Sequence, residues 1–249
     1  MAGAAILSAL GALRAGAGLL TVGIVRGERQ ILTRRLPEAM TLPLPGTTGG
    51  WVSSSSFNLI KAYVRRRTIT TLAIGPGLTV HPSVHNTVKK LLSLGLPTVL
   101  DADGLNNVNP ADLKDRSVIV TPHPGELARL LDKSPRVIQK DRSAVAAATA
   151  KRLGIICVLK GHQTVISDGQ KTFINTTGNP AMATGGMGDV LTGVIAGLLA
   201  QGLSLFDAAC AGVYIHGLAG DLARVSDRGL LATELAELIP HALRKIGLR

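Results

Sequence analysis

The chain has 249 residues, 46% of them hydrophobic, enough to bury one large core or two small ones. Only 2% are aromatic and no nucleic-acid recognition motif appears, so the net charge of +11 speaks less for nucleic acid than for an anionic small molecule. Cys157 and Cys210 form no CxxC pair and have no metal-ligand spacing, which argues against a disulfide framework or a zinc site and for a reducing compartment such as the cytoplasm.

The residues from Ala2 to Val22 are apolar and small, like a targeting segment, but Arg14 interrupts them and no basic region precedes them. Ile6, Leu10, Leu13 and Ala17 recur at spacings of four, three and four, which predicts a buried face on a helix from about Ala4 to Ala15. Gly16 and Gly18 end it, and Leu19 to Val22 reads as a strand. Residues 41–55 are rich in Pro, Gly, Thr and Ser and read as a loop. Thr71 to Ile74 is a short strand ending at Gly75-Pro-Gly77. A helix follows from His85 to Leu94, then strands over Pro97–Leu100 and Ser117–Val120. A helix from Arg142 to Leu153 leads into a strand over Ile155–Leu159. Short apolar runs alternating with helix-length segments predict an α/β fold, with a mostly parallel sheet covered by helices. Thr164–Ile166 and Thr172–Ile174 flank a turn containing Ser167-Asp-Gly169 and read as an antiparallel hairpin. The last third reads as three helices, Val190–Ala200, Leu205–Ala223 and Ala232–Leu243. No run of eighteen uncharged apolar residues occurs, which argues against a membrane span.

The most informative segment is Asn179-Pro-Ala-Met-Ala-Thr-Gly-Gly-Met-Gly-Asp-Val-Leu-Thr-Gly193. Gly185, Gly186 and Gly188 permit close backbone approach, and the N–H groups of a helix's first turn lack internal partners and can bind phosphate oxygens. Asp189 beside such a site would repel phosphate, a cost that makes sense if it takes a proton from a hydroxyl attacking a phosphoryl group. The plain alternative is an aspartate that caps the helix.

Further candidates stand at strand ends, where open α/β sheets place ligands. Lys160-Gly-His-Gln-Thr164 offers a cation for phosphate, a glycine for backbone approach and a hydroxyl donor; its alternative is a turn with a solvated lysine. In Thr121-Pro-His-Pro-Gly-Glu126, His123 is suited to contact substrate and Glu126 to cap the following helix. Asp101 and Asp103 are open to two readings, magnesium held through water or side chains that shape the turn. Asn106 and Gly77 are further contact candidates. His216, in an apolar helix, reads as a core histidine.

Four strings taken together, Leu100-Asp-Ala-Asp-Gly-Leu-Asn106, Val120-Thr-Pro-His-Pro-Gly-Glu126, Leu159-Lys-Gly-His-Gln-Thr-Val165 and Gly178 to Gly193, resemble the NAD(P)H-hydrate dehydratases of the ribokinase-like superfamily. The resemblance runs in order along nearly the whole chain. It implies a ribokinase-like three-layer α/β/α sandwich, as a single domain over residues 1–249. It also implies dehydration of the (S)-hydrates of NADH and NADPH, with ADP as phosphoryl donor, or ATP as in eukaryotic members, together with Mg2+. Carried over by position, Asp189 would be the base and a substrate contact. Lys160, Gly161, His162, Gln163 and Thr164 would hold the nucleotide, with Gly185, Gly186 and Gly188 around the transferring phosphates. Ala4, Gly77, His123 and Asn179 would contact the hydrated cofactor or shape its site. No metal ligand is assigned. The partners expected are the two small molecules, without nucleic acid or membrane, and a homo-oligomer, with a homotetramer as one form. Family members usually begin with a strand and a glycine–serine turn before the segment matching Gly3-Ala4-Ala5, so the resemblance implies a domain incomplete at its N-terminus. A small-molecule kinase of the same superfamily and a nucleotide-binding protein without turnover are the competing readings.

Overall fold

The computed structural model describes residues 1–223 and 228–247. In chain order the elements are α1 (Ala2–Arg14), β1 (Thr21–Val25), α2 (Arg29–Arg35), β2 (Met40–Leu44), α3 (Ser56–Arg66), β3 (Leu72–Ile74), α4 (Pro82–Leu92), β4 (Thr98–Leu100), α5 (Asp103–Asn106), α6 (Pro110–Leu113), β5 (Val118–Val120), α7 (Pro124–Leu130), α8 (Pro135–Lys140), α9 (Arg142–Leu153), β6 (Ile156–Leu159), β7 (Val165–Ser167), β8 (Thr172–Ile174), α10 (Met187–Ala200), α11 (Leu205–Leu222) and α12 (Ala232–Lys245).

Strands β3 to β8 form one sheet in sequence order. The pairs from β3 to β6 are parallel, with Leu72 opposite Thr98 and Thr98 opposite Val118, and β6–β7–β8 continue antiparallel. The predicted hairpin is therefore present. Alternation along the strands builds the layers. Val99, Ile119, Val158 and Ile166 pack with α10, α11 and α12 on one face, whereas Leu100, Val120, Leu159 and Val165 pack with α4, α7 and α9 on the other. Helix α1 lies directly against α10. At Gly11, Gly193 and Gly197 the helix backbones approach so closely that a Cβ on any of the three would overlap main-chain atoms of the neighbouring helix.

Two parts differ from expectation. The first residues of the supposed loop at 41–55 belong to β2, which pairs in parallel with β1 from Thr21–Met40 to Val25–Leu44. Pro43 masks this strand in the sequence, but a two-stranded sheet has only edges, where proline is tolerated. Helix α3 was likewise hidden, because its start lies in the Ser53–Ser56 run. In addition, β1 and β2 form a sheet of their own. A cavity of about 280 Å³, lined by Gly23, Thr71, Ala73 and Ala196 among others, separates them from β3. The Thr71 hydroxyl is buried there without a hydrogen-bond partner among the described residues. No described helix is long and apolar enough to cross a membrane.

Candidate active site

Parallel strands end on the same side of a sheet, so β3, β4, β5 and β6 deliver Gly75–Gly77, Asp101, Thr121–Glu126 and Lys160 to one edge. The first turn of α10 faces this edge: a Cβ on Gly188 would lie 3.3 Å from Lys160 Nζ and 3.8 Å from Asp101 Oδ2.

Helix α10 starts three residues earlier than expected, at Met187. Its N-cap is Gly186, and no side chain caps it. The first intrahelical acceptance there is by the Gly186 carbonyl from Val190 N, so the amides just ahead of Val190 have no acceptor among the described residues and can meet an anion. Gly186 suits this turn because its φ is +90°, in the left-handed region that side chains rarely adopt. The turn is pinned from below by His216 of α11, whose ring lies 3.0 Å from the Met187 carbonyl. Burial pulls His216 down to about 4, so the neutral ring donates its Nε2–H to that carbonyl. The core histidine thus also supports the anion loop.

Asp189 is the third residue of α10, not its cap, which removes the capping alternative. Among the described residues its carboxylate has no hydrogen-bond or ion-pair partner. Burial, reinforced by the charges of Asp101 and Asp103 and opposed by Lys160, pushes its pKa up to about 6. A half-buried carboxylate with that proton affinity is suited to general-base work near neutral pH.

Lys160 is not a solvated lysine. Its Nζ donates to Asp101 Oδ1 at 2.6 Å and lies 3.8 Å from Glu126 Oε2. Its backbone N–H donates to Pro122 O at 2.9 Å, which joins the two strand-end loops. Gly161, His162 and Gln163 are exposed, and Thr164 donates to Gly161 O at 2.9 Å, closing the loop on itself. Sequence reasoning missed Arg142 here. From the start of α9 its guanidinium donates to Leu159 O at 2.8 Å and to His162 O, clamping the loop from behind. Only a long-range contact identifies it, since its local sequence reads as an ordinary helix start.

Asp101 and Asp103 divide between partners. Asp101 also accepts from Thr192 Oγ1 at 2.7 Å. Asp103 accepts from Thr79 N at 2.8 Å and Asn106 Nδ2 at 3.4 Å, the turn-shaping reading. No group of three His, Cys, Asp or Glu side chains among the described residues forms a cation cage.

His123 caps α7, accepting at Nδ1 from Gly125 N and Glu126 N at 3.0 and 3.3 Å, and Glu126 returns the bond by accepting from His123 N at 2.7 Å. These bonds assign the ring proton to Nε2, on a side chain that is 58% exposed and whose Nε2 lies 3.7 Å from Glu126 Oε1. Gly77 and the first turn of α1, with Ala4, are drawn together by the Met1 amino group, which donates to Gly77 O at 2.7 Å. Asn179 spends its side chain on the loop and on α11. It accepts from Ala181 N at 3.0 Å and donates to Gly220 O at 2.9 Å and to Asp221, fixing the loop to α11. Gly185 is exposed at the loop's outer edge.

A family model described as NAD(P)H-hydrate dehydratase matches residues 1–241. The chain is 43% identical over 256 aligned residues to a bifunctional NAD(P)H-hydrate repair enzyme of Moorella thermoacetica, covering 99% of this chain and 48% of that protein. It is 36% identical to the ADP-dependent (S)-NAD(P)H-hydrate dehydratase of Bacillus subtilis, covering 98% and 86%. The crystal structure of the ADP/ATP-dependent NAD(P)H-hydrate dehydratase from Bacillus subtilis, co-crystallized with ATP and Mg2+ and soaked with CoA, superposes with a TM-score of 0.83 at 34% identity, covering 98% and 87%. The chain spans about half the length of the bifunctional relatives it matches. With its glycine loop, lone carboxylate and strand-end lysine in one cluster, and with these likenesses along nearly its whole length, the chain belongs to the NAD(P)H-hydrate dehydratase family.

Proposed function

We propose that the chain dehydrates the (S)-hydrates of NADH and NADPH, consuming ADP and releasing AMP and phosphate. The observation that carries this reading is Asp189, a carboxylate without a hydrogen-bond or ion-pair partner among the described residues and raised to about 6, next to the first-turn amides of α10 and the Lys160 ammonium. Asp189 takes the proton from the C6 hydroxyl of the hydrate as its oxygen attacks the β-phosphorus of ADP, and the bond from that phosphorus to AMP breaks. The α10 amides and Lys160 stabilise charge on the transferring group. The ring nitrogen's electron pair then expels phosphate from C6, and loss of a proton from C5 restores the double bond of NADH.

Gly161 to Thr164 line the nucleotide side, with Gly185, Gly186 and Gly188 around its phosphates, while Ala4, Gly77 and the exposed His123 ring face the hydrate. Asn179 shapes the loop. Mg2+ would enter with the nucleotide, bound chiefly by its phosphate oxygens, and would neutralise their charge. We place the protein in the cytoplasm as a homo-oligomer without nucleic-acid or membrane partners.

The test supplies hydrated NADH with ADP or ATP and follows the return of NADH absorbance. Recovery with ADP is expected. Recovery with ATP alone would reassign the donor, a stable phosphorylated product seen by mass would make the protein a kinase, and no reaction with either nucleotide would refute the activity.

A further inference from the structure

Asp101 is 1% exposed, and a buried carboxylate is tolerated only where partners replace its lost hydration. Its oxygens are divided between two elements. Oδ1 accepts from Lys160 Nζ at 2.6 Å, and Oδ2 accepts from Thr192 Oγ1 at 2.7 Å. Thr192 is itself fully buried and lies three residues after Asp189, one turn further along α10. The main chain of Asp101 is fixed too: its N–H donates to Ile74 O at 3.0 Å, and its carbonyl accepts from Gly104 N at 2.8 Å. One rigid carboxylate at the end of β4 therefore ties the flexible four-carbon stem of Lys160 to the helix that bears Asp189, with the ammonium held beneath Gly188.

We propose that Asp101 is a positioning residue: through Lys160 and Thr192 it holds the ammonium and the Asp189-bearing turn of α10 in a single arrangement for phosphoryl transfer. The inference rests on the function proposed above. The charged groups facing Asp189 are Asp101 from β4, Asp103 from α5 and Lys160 from β6. Without the Asp101 charge, only burial and Asp103 are left to oppose Lys160, and Asp189 loses proton affinity. The acidic limb of the turnover profile therefore moves to lower pH. A role confined to holding the fold together would not move it.

Asp101→Asn keeps the size and can keep a hydrogen bond to Thr192 while removing the charge. The experiment measures kcat, KM for ADP and the pH profile of NADH recovery on the full chain. It adds ADP calorimetry on wild type, Asp101→Asn, Lys160→Ala and the double variant. The expected result is a fall in kcat of about tenfold or more, little change in KM, a lowered acidic limb, and non-additive effects of the two substitutions on ADP binding. Wild-type kcat with an unmoved limb, or additive binding effects, would overturn the proposal. If Asp101→Asn does not fold, Thr192→Val removes only the donor to Oδ2 and is expected to lower kcat several-fold; unchanged kcat would count against the proposal. If the wild type shows no recovery, the functional reading fails separately, and the calorimetric cycle still decides whether Asp101 and Lys160 act as a unit. Wild type that binds no ADP refutes both.

Discussion

Asp189 should make the free protein less stable than it need be, and this can be measured without any substrate. Its pKa rises from the ordinary 3.8 to about 6, chiefly through burial. At about 1.4 kcal/mol per pH unit, ionising it in the folded state costs ~3 kcal/mol relative to the unfolded chain. The position is only half buried, so solvent screening reduces this to about 1–2 kcal/mol. The sign follows from proton binding. Between about 4 and 6 the folded state binds more protons than the unfolded one, so stability falls as pH rises through that window, and the penalty is constant above it. Asp189→Asn cannot ionise and escapes the penalty. It is expected to be more stable than wild type by about 1–2 kcal/mol at pH 8, with the gain vanishing near pH 4. Turnover should fall by roughly 10²–10⁴ because the proton acceptor is gone. Wild-type turnover itself should decline as pH drops through about 6. Urea denaturation of both proteins at a series of pH values, beside the repair assay, checks this. A stability difference that is absent at pH 8, or that does not change with pH, would refute the claim that a strained base sits at this position.

Lys160→Ala strips Asp101 of its cation, leaving a buried carboxylate uncompensated, and is expected to cost about 3–5 kcal/mol in denaturant unfolding and ~10²-fold in kcat/KM for the nucleotide; unchanged kinetics would return this residue to the solvated-lysine reading. Gly193→Ala would drive a methyl into Ser8 O and to within 2.8 Å of Ala12 N, so it should destabilise by roughly 1–3 kcal/mol despite alanine's better helix propensity. Gly3→Ala in α1 meets nothing within 4 Å and should gain about 0.5–1 kcal/mol, so thermal melts that reverse this ranking would show the α1–α10 contact to be looser than described. Asn179→Ala removes a cap on Ala181 N and two bonds to α11, with an expected loss of about 1–2 kcal/mol; a melt identical to wild type would deny the loop that anchor.

How much of this was legible in the chain depends on the range of the interaction concerned. Short apolar runs and helical periodicity act locally, and they placed the strands from β3 to β8 and the helices α1, α4, α9, α10, α11 and α12 within a few residues. The strand-end rule then brought Gly77, His123 and Lys160 to one edge without any knowledge of contacts. Where a local signal was ambiguous the reading erred. Pro43 hid β2, which tolerates it only because that small sheet has no interior strand. The role of Asp101 was out of reach for a different reason. A carboxylate that follows a strand looks the same whether it faces a metal, a turn amide or a lysine 59 residues away, and the choice is made by tertiary packing that brings β4, β6 and α10 together. The same holds for Arg142 and His216, whose partners are backbone carbonyls with no side-chain signature. The candidate ligand contacts at this edge were thus proposed from chemistry, spacing and resemblance, whereas the groups that hold them in place were not readable, because their choice depends on contacts across the fold. That difference is why Asp101→Asn is the more searching experiment on this site: Asp189→Asn tests a role that the glycine loop already suggests, while Asp101→Asn tests an arrangement that only the folded chain contains.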